Sequence, residues 1–118
     1  MHAIDRLQLG VKLDPVNMVN GVVPYFDNAA LLRESFEKLG PWIKSAHAKD
    51  IVLRETLTTH LDEVRPGLGG LDYGVYLTEL AKLGQDVPLM IEHLAEEEYP
   101  LAADHIRSVA AQVGVRFA

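Results

Sequence analysis

The sequence contains no cysteine among its 118 residues. This absence excludes disulfide bonds, zinc sites built on thiolates and a cysteine nucleophile. Long apolar runs are missing as well, since no stretch is long enough to span a bilayer. The first ten residues, MHAIDRLQLG, lack the basic-then-apolar layout of a signal peptide. We therefore expect a cytoplasmic protein that has no membrane partner.

Positive charge is also scarce. Eleven Lys and Arg residues stand against 17 Asp and Glu residues, which gives a formal net charge of −6. Because no basic cluster offsets this charge, a phosphate backbone repels the chain, and nucleic acid is not an expected partner. The shares of apolar residues, 48%, and charged residues, 24%, are ordinary for a globular protein. The length predicts a single domain over residues 1–118.

Three strand-like apolar runs alternate with three segments of helical periodicity. The runs are LGVKLDP (9–15), PWIKSAHAK (41–49) and VPLMIEHL (87–94). The predicted helices are NAALLRESFEKLG, capped by Asn28, DYGVYLTELAKLG, capped by Asp72, and a third from about Glu97 to Val113 that Gly114 ends. This order predicts a parallel sheet with right-handed crossovers.

The predicted strands carry polar side chains on one face only. Because side chains alternate along a strand, one face of each run is aliphatic, and the other holds Asp14, His47 and Glu92 near the three C-terminal ends. In α/β folds, ligands bind beyond the carboxyl ends of parallel strands. Two carboxylates and an imidazole suit manganese, cobalt, zinc or magnesium. The pattern therefore predicts a shared site for a divalent metal.

Each of these residues also has a structural interpretation. A single histidine near a strand end is more often a structural hydrogen-bonding group than a metal ligand. Asp14 precedes Pro15 and fits the start of a turn. Glu92 is harder to explain in this way, because an unpaired carboxylate is costly to bury in an apolar run. The agreement in phase across three strands favours the shared site.

Four segments resemble the C-terminal part of the sugar phosphate isomerase/epimerase superfamily, the xylose isomerase-like TIM barrels. KLDPVNM is similar to the sixth barrel strand of that family, IKSAHAKD to the seventh and VPLMIEHL to the eighth. RPGLGGLDYGVYLTEL resembles the PGxGxxD-type loop before the seventh helix. The resemblance implies an α/β fold, namely a partial (β/α) TIM barrel of three βα units with parallel strands.

The resemblance also implies a chemistry. In that family a divalent ion, often manganese, is held by Glu, Asp, His and Glu from four strands, and carboxylates move a proton between adjacent carbons of a sugar or sugar phosphate. By position, Asp14, His47 and Glu92 match the last three ligands. The resemblance gives Glu92 a second role as the catalytic acid or base.

Further residues are expected to contact the substrate. Many epimerases of the family have a histidine three residues after the ligand aspartate, where this chain has Asn17, which is expected to bond a substrate hydroxyl. Lys49, Asp50 and Arg54 follow the ligand histidine and are expected to face the substrate.

The chain is short for the family it resembles. A TIM barrel needs roughly 250 residues, and the metal-binding Glu of the fifth strand has no counterpart here. Open strand edges favour pairing with another chain, so we expect a homo-oligomer that completes the fold. Three hypotheses remain open: an isomerase-like domain that is incomplete for catalysis, a non-catalytic fragment that self-associates, and one subunit of a split enzyme.

Overall fold

The computed structural model describes residues 9–117. The strands are β1 (Val11–Leu13), β2 (Ile43–Ala48), β3 (Asp50–Leu53), β4 (Leu61–Val64) and β5 (Leu89–Ile91). The helices are α1 (Val22–Phe26), α2 (Asn28–Leu39), α3 (Tyr73–Lys82) and α4 (Tyr99–Val113). Short 3₁₀ turns at Val16–Met18, Gly40–Trp42 and Glu96–Glu98 lead into or out of these elements.

The three predicted strands form one parallel sheet. The order is β1-β2-β5, so the central strand pairs with both neighbours. Leu13 lies beside Ala46, and Ile91 lies beside Ala48. The chain therefore leaves β1 and β5 next to the C-terminal end of β2. This mixed α/β architecture with parallel strands confirms the coarse fold prediction.

A second sheet was not expected from the sequence. Only Lys49 separates β2 from β3, and β3 pairs with β4 in an antiparallel hairpin, with Asp50 opposite Val64 and Leu53 opposite Leu61. Polar residues between the two strands and the lack of a two-residue turn motif hide this hairpin in the sequence. The hairpin rises from the same end of the sheet at which the three parallel strands finish.

The helix ends confirm two of the predicted caps and correct one. The Asp72 carboxylate accepts a hydrogen bond from the Val75 amide at 3.0 Å and caps α3. Gly114 ends α4 with a left-handed φ of 75°. Asn28 is wrong as a cap, because it lies inside the first turn of α2. Its side chain instead bonds Gly70 and Asp72, which ties α2 to the loop before α3.

The core lies between the aliphatic face of the sheet and the helices. Tyr76 and Leu77 of α3 are fully buried, in one cluster with Leu13, Ile43 and Leu32. Ala46 and Ala48 have no exposed surface, which lets the helices approach the central strand closely. Within residues 9–117, no helix combines the length and the apolar character needed to cross a bilayer.

Candidate metal centre

Asp14, His47 and Glu92 converge at the carboxyl end of the parallel sheet. Asp14 and Glu92 each follow the last residue of an outer strand, and His47 lies near the end of the central strand. The His47 Nδ1 atom is 3.2 Å from Asp14 Oδ2 and 2.9 Å from Glu92 Oε1. One donor atom from each residue lies within 4.8 Å of the other two. The structure thus brings together the three residues predicted as ligands.

The chemistry and spacing of these donors fit a divalent cation. Two carboxylate oxygens and one imidazole nitrogen form a hard-to-borderline donor set. Two ligands at right angles, each roughly 2.1 Å from an ion, are about 3 Å apart. The two His47 contacts, 2.9 and 3.2 Å, have this separation. The three side chains are therefore arranged as a candidate cation site in which each of them supplies one ligand atom.

The Lys49 ammonium lies in the middle of the acidic groups. Its Nζ atom is 2.8 Å from Asp14 Oδ2, 3.2 Å from Glu92 Oε1 and 3.3 Å from Glu63 Oε1. The Lys49 side chain is only 5% exposed. One buried cation therefore contacts three carboxylates, two of which are the candidate metal ligands.

These contacts set the protonation of the cluster. Burial raises the pKa of Asp14, but hydrogen bonds from Lys49 and His47 outweigh it and hold the pKa below its ordinary value. For Glu92, burial likewise raises the pKa, and Lys49 together with the nearby histidines lowers it by more. Burial lowers the pKa of Lys49, whereas its hydrogen bonds to Asp14 and Glu92 raise it well above its ordinary value. At neutral pH Asp14 and Glu92 are therefore carboxylates, and Lys49 is an ammonium.

Two buried tyrosines of α3 fix the backbone on either side of the strand tip. The Tyr76 hydroxyl donates to the His47 carbonyl at 2.8 Å, and the Tyr73 hydroxyl donates to the Lys49 carbonyl at 2.6 Å. Burial raises the pKa of both phenols, so they remain neutral donors. The sequence pattern places these tyrosines in the apolar stripe of the helix but does not reveal their hydrogen bonds.

Asp50 is placed differently from the substrate-facing position expected of it. Its carboxylate is buried, and its Oδ1 accepts hydrogen bonds from the Ile51 and Leu71 amides, both at 2.9 Å. Its Oδ2 accepts from the Gly67 amide at 3.0 Å and from the Gly69 amide at 3.2 Å. All four donors belong to the backbone of this chain, so the carboxylate holds the loop after β4 against the start of β3.

Gly69 is required where this loop passes Asp50. A Cβ atom at Gly69 would lie 2.3 Å from the Ile51 carbonyl oxygen and 2.4 Å from Asp50 Oδ1. No side chain fits at those distances. Close packing against Asp50 and Ile51 therefore explains why the GLGG run has a glycine at position 69.

Asn17 and Arg54 occupy contrasting positions. The Asn17 side chain donates to Asp14 Oδ2 at 3.0 Å and is exposed, so it borders the metal centre. The Arg54 side chain is half exposed on the hairpin, where its Nε is 3.0 Å from Asp62 Oδ2. Asn17 thus lies next to a candidate ligand, whereas the ion pair of Arg54 is with the hairpin itself.

The structure adds Glu63 and His93 to the surroundings of the site. Glu63 of β4 contacts Lys49, and its Oε1 atom is also 3.5 Å from His93 Nδ1. His93 directly follows Glu92 and has a left-handed φ of 62°. The sequence did not indicate Glu63, because its approach depends on the unpredicted hairpin.

Comparison with known proteins supports the fold. No family model matches the sequence, and no curated protein matches it. A solved structure described as a xylose isomerase domain protein from Planctomyces limnophilus superposes with a TM-score of 0.69 at 23% sequence identity. The match covers 96% of this chain and 40% of that chain. The predicted resemblance is therefore confirmed at the level of the fold, and this chain spans well under half the length of the protein it resembles.

Proposed function

We propose that Asp14, His47 and Glu92 bind a divalent metal, with Mn²⁺ the best candidate and Mg²⁺, Co²⁺ or Zn²⁺ as alternatives, in a sugar or sugar phosphate isomerase or epimerase. The observation that carries the proposal is the convergence of three donor atoms within 4.8 Å at the carboxyl ends of three parallel strands. The xylose isomerase-like fold supports the choice of substrate class. A bound divalent ion would supply polarisation of the carbonyl and hydroxyl oxygens of the sugar.

Glu92 is the proposed acid or base of the reaction. Lys49 and His47 hold the pKa of Glu92 below its ordinary value, and a bound cation would likewise favour the carboxylate, which can then accept a proton from the carbon next to the sugar carbonyl. Its side chain is 30% exposed, more than the 13% of Asp14, and is therefore the more accessible of the two acids. Proton removal gives an enediol, and return of that proton to the former carbonyl carbon, while the neighbouring hydroxyl loses its proton and becomes the new carbonyl, isomerises the sugar. Epimerisation would need a second acid on the opposite face of the same carbon, which a completing chain would have to supply.

Two neighbours are proposed to orient the substrate. Asn17 is exposed beside Asp14 and offers its amide to a hydroxyl group. Lys49 offers an ammonium to a developing negative charge on oxygen. Asp50 is not part of this proposal, because backbone amides occupy both of its oxygens. Arg54 is also left out, because it pairs with Asp62.

We propose that a second copy of the chain pairs with the free strand edges. Among the described residues, β1 and β5 each pair only with β2. An apolar cleft of about 400 Å³ lies beside β5 and is lined in part by Leu77, Leu80, Val87, Leu89 and Phe117. Because a full barrel would cover such edges and enclose the sugar, we expect the isolated chain to turn over substrate poorly or not at all.

Size-exclusion chromatography with light scattering tests the assembly. We expect a mass of at least two chains at micromolar concentration, since β1 and β5 each have one unpaired edge within residues 9–117, and such edges favour association. A clean monomer would contradict the homo-oligomer. A second, unrelated polypeptide that co-purifies would favour the split enzyme instead.

Metal binding and proton abstraction test the site. Protein purified without chelator or nickel resin is titrated with Mn²⁺ by calorimetry, and Glu92→Gln should weaken binding at least about tenfold because a charged ligand is lost. Because full turnover is expected to be poor, the test follows proton abstraction alone: sugar phosphates incubated with the Mn²⁺-loaded protein in D₂O should slowly gain deuterium next to the carbonyl, as seen by NMR, and this exchange should disappear in Glu92→Gln.

The matched control is Glu97→Gln, which removes an exposed carboxylate five residues further along the chain. It should bind Mn²⁺ as the wild type does. Equal Mn²⁺ affinity in wild type and Glu92→Gln would refute the ligand assignment. Metal binding without deuterium exchange would support the site and leave the non-catalytic fragment as the better description.

A further inference from the structure

The Lys49 ammonium contacts the same oxygen atoms that the proposed metal requires. Asp14 Oδ2 and Glu92 Oε1 are the oxygens within 3.2 Å of His47 Nδ1, and they are also the oxygens 2.8 and 3.2 Å from Lys49 Nζ. A divalent ion and an ammonium would thus share two carboxylate oxygens. At such separations two cations repel each other strongly in a buried site.

The backbone of Lys49 is fixed, and its side chain is buried. The side chain of Lys49 is 5% exposed, and the Tyr73 hydroxyl donates a hydrogen bond to the Lys49 carbonyl oxygen. A buried ammonium needs acceptors, because leaving it unpaired is very costly. An ammonium that gives up Asp14 and Glu92 to a metal must keep another partner nearby.

Glu63 provides that partner. Its Oε1 atom is 3.3 Å from Lys49 Nζ, and its side chain is 40% exposed, so the carboxylate can follow the ammonium as it moves. Glu63 is outside the set of three residues whose donor atoms converge. Its contact with the cluster therefore runs through Lys49 and His93 rather than through the proposed ligands.

We propose that Lys49 is a built-in competitor of the metal, which neutralises Asp14 and Glu92 by itself and shifts toward Glu63 when a divalent ion binds. This inference rests on the proposed metal site. It gives the lysine a role in setting metal affinity, distinct from contact with a substrate. It also gives Glu63 a role as the acceptor that makes the exchange possible.

The test is Mn²⁺ titration by calorimetry of wild type, Lys49→Gln and Glu63→Gln. Lys49→Gln should bind Mn²⁺ at least about tenfold more tightly, because the competing charge is gone. Glu63→Gln should bind Mn²⁺ more weakly, because Lys49 loses its alternative acceptor. In the double variant, the Glu63 change should have no further effect, since Glu63 acts through Lys49.

Lys44→Gln is the matched control, because Lys44 is an exposed lysine on the same strand, β2. It should leave the Mn²⁺ affinity unchanged. Circular dichroism checks the fold of each variant, and Lys49→Met replaces Lys49→Gln should the latter fail to fold. Should neither fold, Glu63→Gln decides: weaker binding supports the proposal, and unchanged or tighter binding overturns it.

The possible results separate this inference from the proposed function. Mn²⁺ binding by the wild type with equal or weaker binding by Lys49→Gln overturns the competition and leaves the metal site standing. Tight binding by Lys49→Gln alone supports the competition and shows that the wild-type lysine blocks the site. Absence of Mn²⁺ binding in every variant overturns both.

Discussion

Asp50 and its neighbour Lys49 belong to two different acidic environments, which differ in the groups that donate hydrogen bonds to the carboxylates. Asp50 receives four hydrogen bonds from backbone amides of its own chain. The carboxylates of Asp14 and Glu92, around its neighbour Lys49, instead contact mainly side chains, the Lys49 ammonium and the His47 imidazole, and the one backbone donor is the Asn17 amide, 3.4 Å from Asp14 Oδ1. Backbone donors are fixed by the fold, whereas side-chain donors can move.

The difference separates a structural acid from an exchangeable one. A ligand that replaced the four amides around Asp50 would have to unfold the loop that carries Gly67 and Gly69. A cation that replaced Lys49 at Asp14 and Glu92 would only have to turn a side chain. Acidic residues at the same end of the sheet thus have two uses. Asp50 is suited to holding a loop, whereas Asp14 and Glu92 are suited to binding a cation.

The largest effect is expected from Asp50→Asn. The amide side chain points an N–H donor at backbone amides that need an acceptor, so at least one pair of donors loses its partner in a buried site. We expect the free energy of unfolding to fall by more than about 3 kcal/mol, since each unsatisfied buried group costs about 1–3 kcal/mol. Urea unfolding at fixed protein concentration measures this change.

Asp62→Asn is the control for Asp50→Asn. Asp62 is an exposed aspartate of the same hairpin, paired only with Arg54 among the described contacts, so its loss should cost less than about 1 kcal/mol. An equal decrease in the free energy of unfolding for Asp50→Asn and Asp62→Asn would show that the backbone hydrogen bonds of Asp50 do not stabilise the loop. Asp50 would then not be a structural acid.

The convergence of the three candidate ligands was predictable from local rules. Alternation fixes which side chains share a face, and a parallel sheet brings the carboxyl ends of its strands to one edge. Asp14, His47 and Glu92 each lie at the end of an apolar run that those rules recognise. Only the order of the strands had to be right, and β1-β2-β5 places the histidine between the two acids.

The surroundings of the ligands were not predictable in the same way. Glu63 reaches Lys49 because β3 and β4 form a hairpin, and the segment between them has neither a turn motif nor a clear alternation. Lys49 and Asp50 are adjacent in sequence, yet they serve different parts of the structure. Which of them meets the metal centre depends on the path of the loop through Gly67 and Gly69, which is a tertiary property.

A smaller effect, which concerns Asp14 and Glu92, is expected when the pH is lowered. The pKa values of Asp14 and Glu92 lie below their ordinary 3.8 and 4.5, so the unfolded chain binds more protons than the folded one in this range. Their contribution to stability is complete above the unfolded pKa values and is lost as the pH falls through the lower, folded values. The free energy of unfolding, measured in urea, should therefore decrease between about pH 5 and pH 3.

In Asp14→Asn the free energy of unfolding should decrease less steeply as the pH falls, because one of the two carboxylates is gone. A pH dependence identical to that of the wild type would mean that the Lys49 contacts do not stabilise the folded chain.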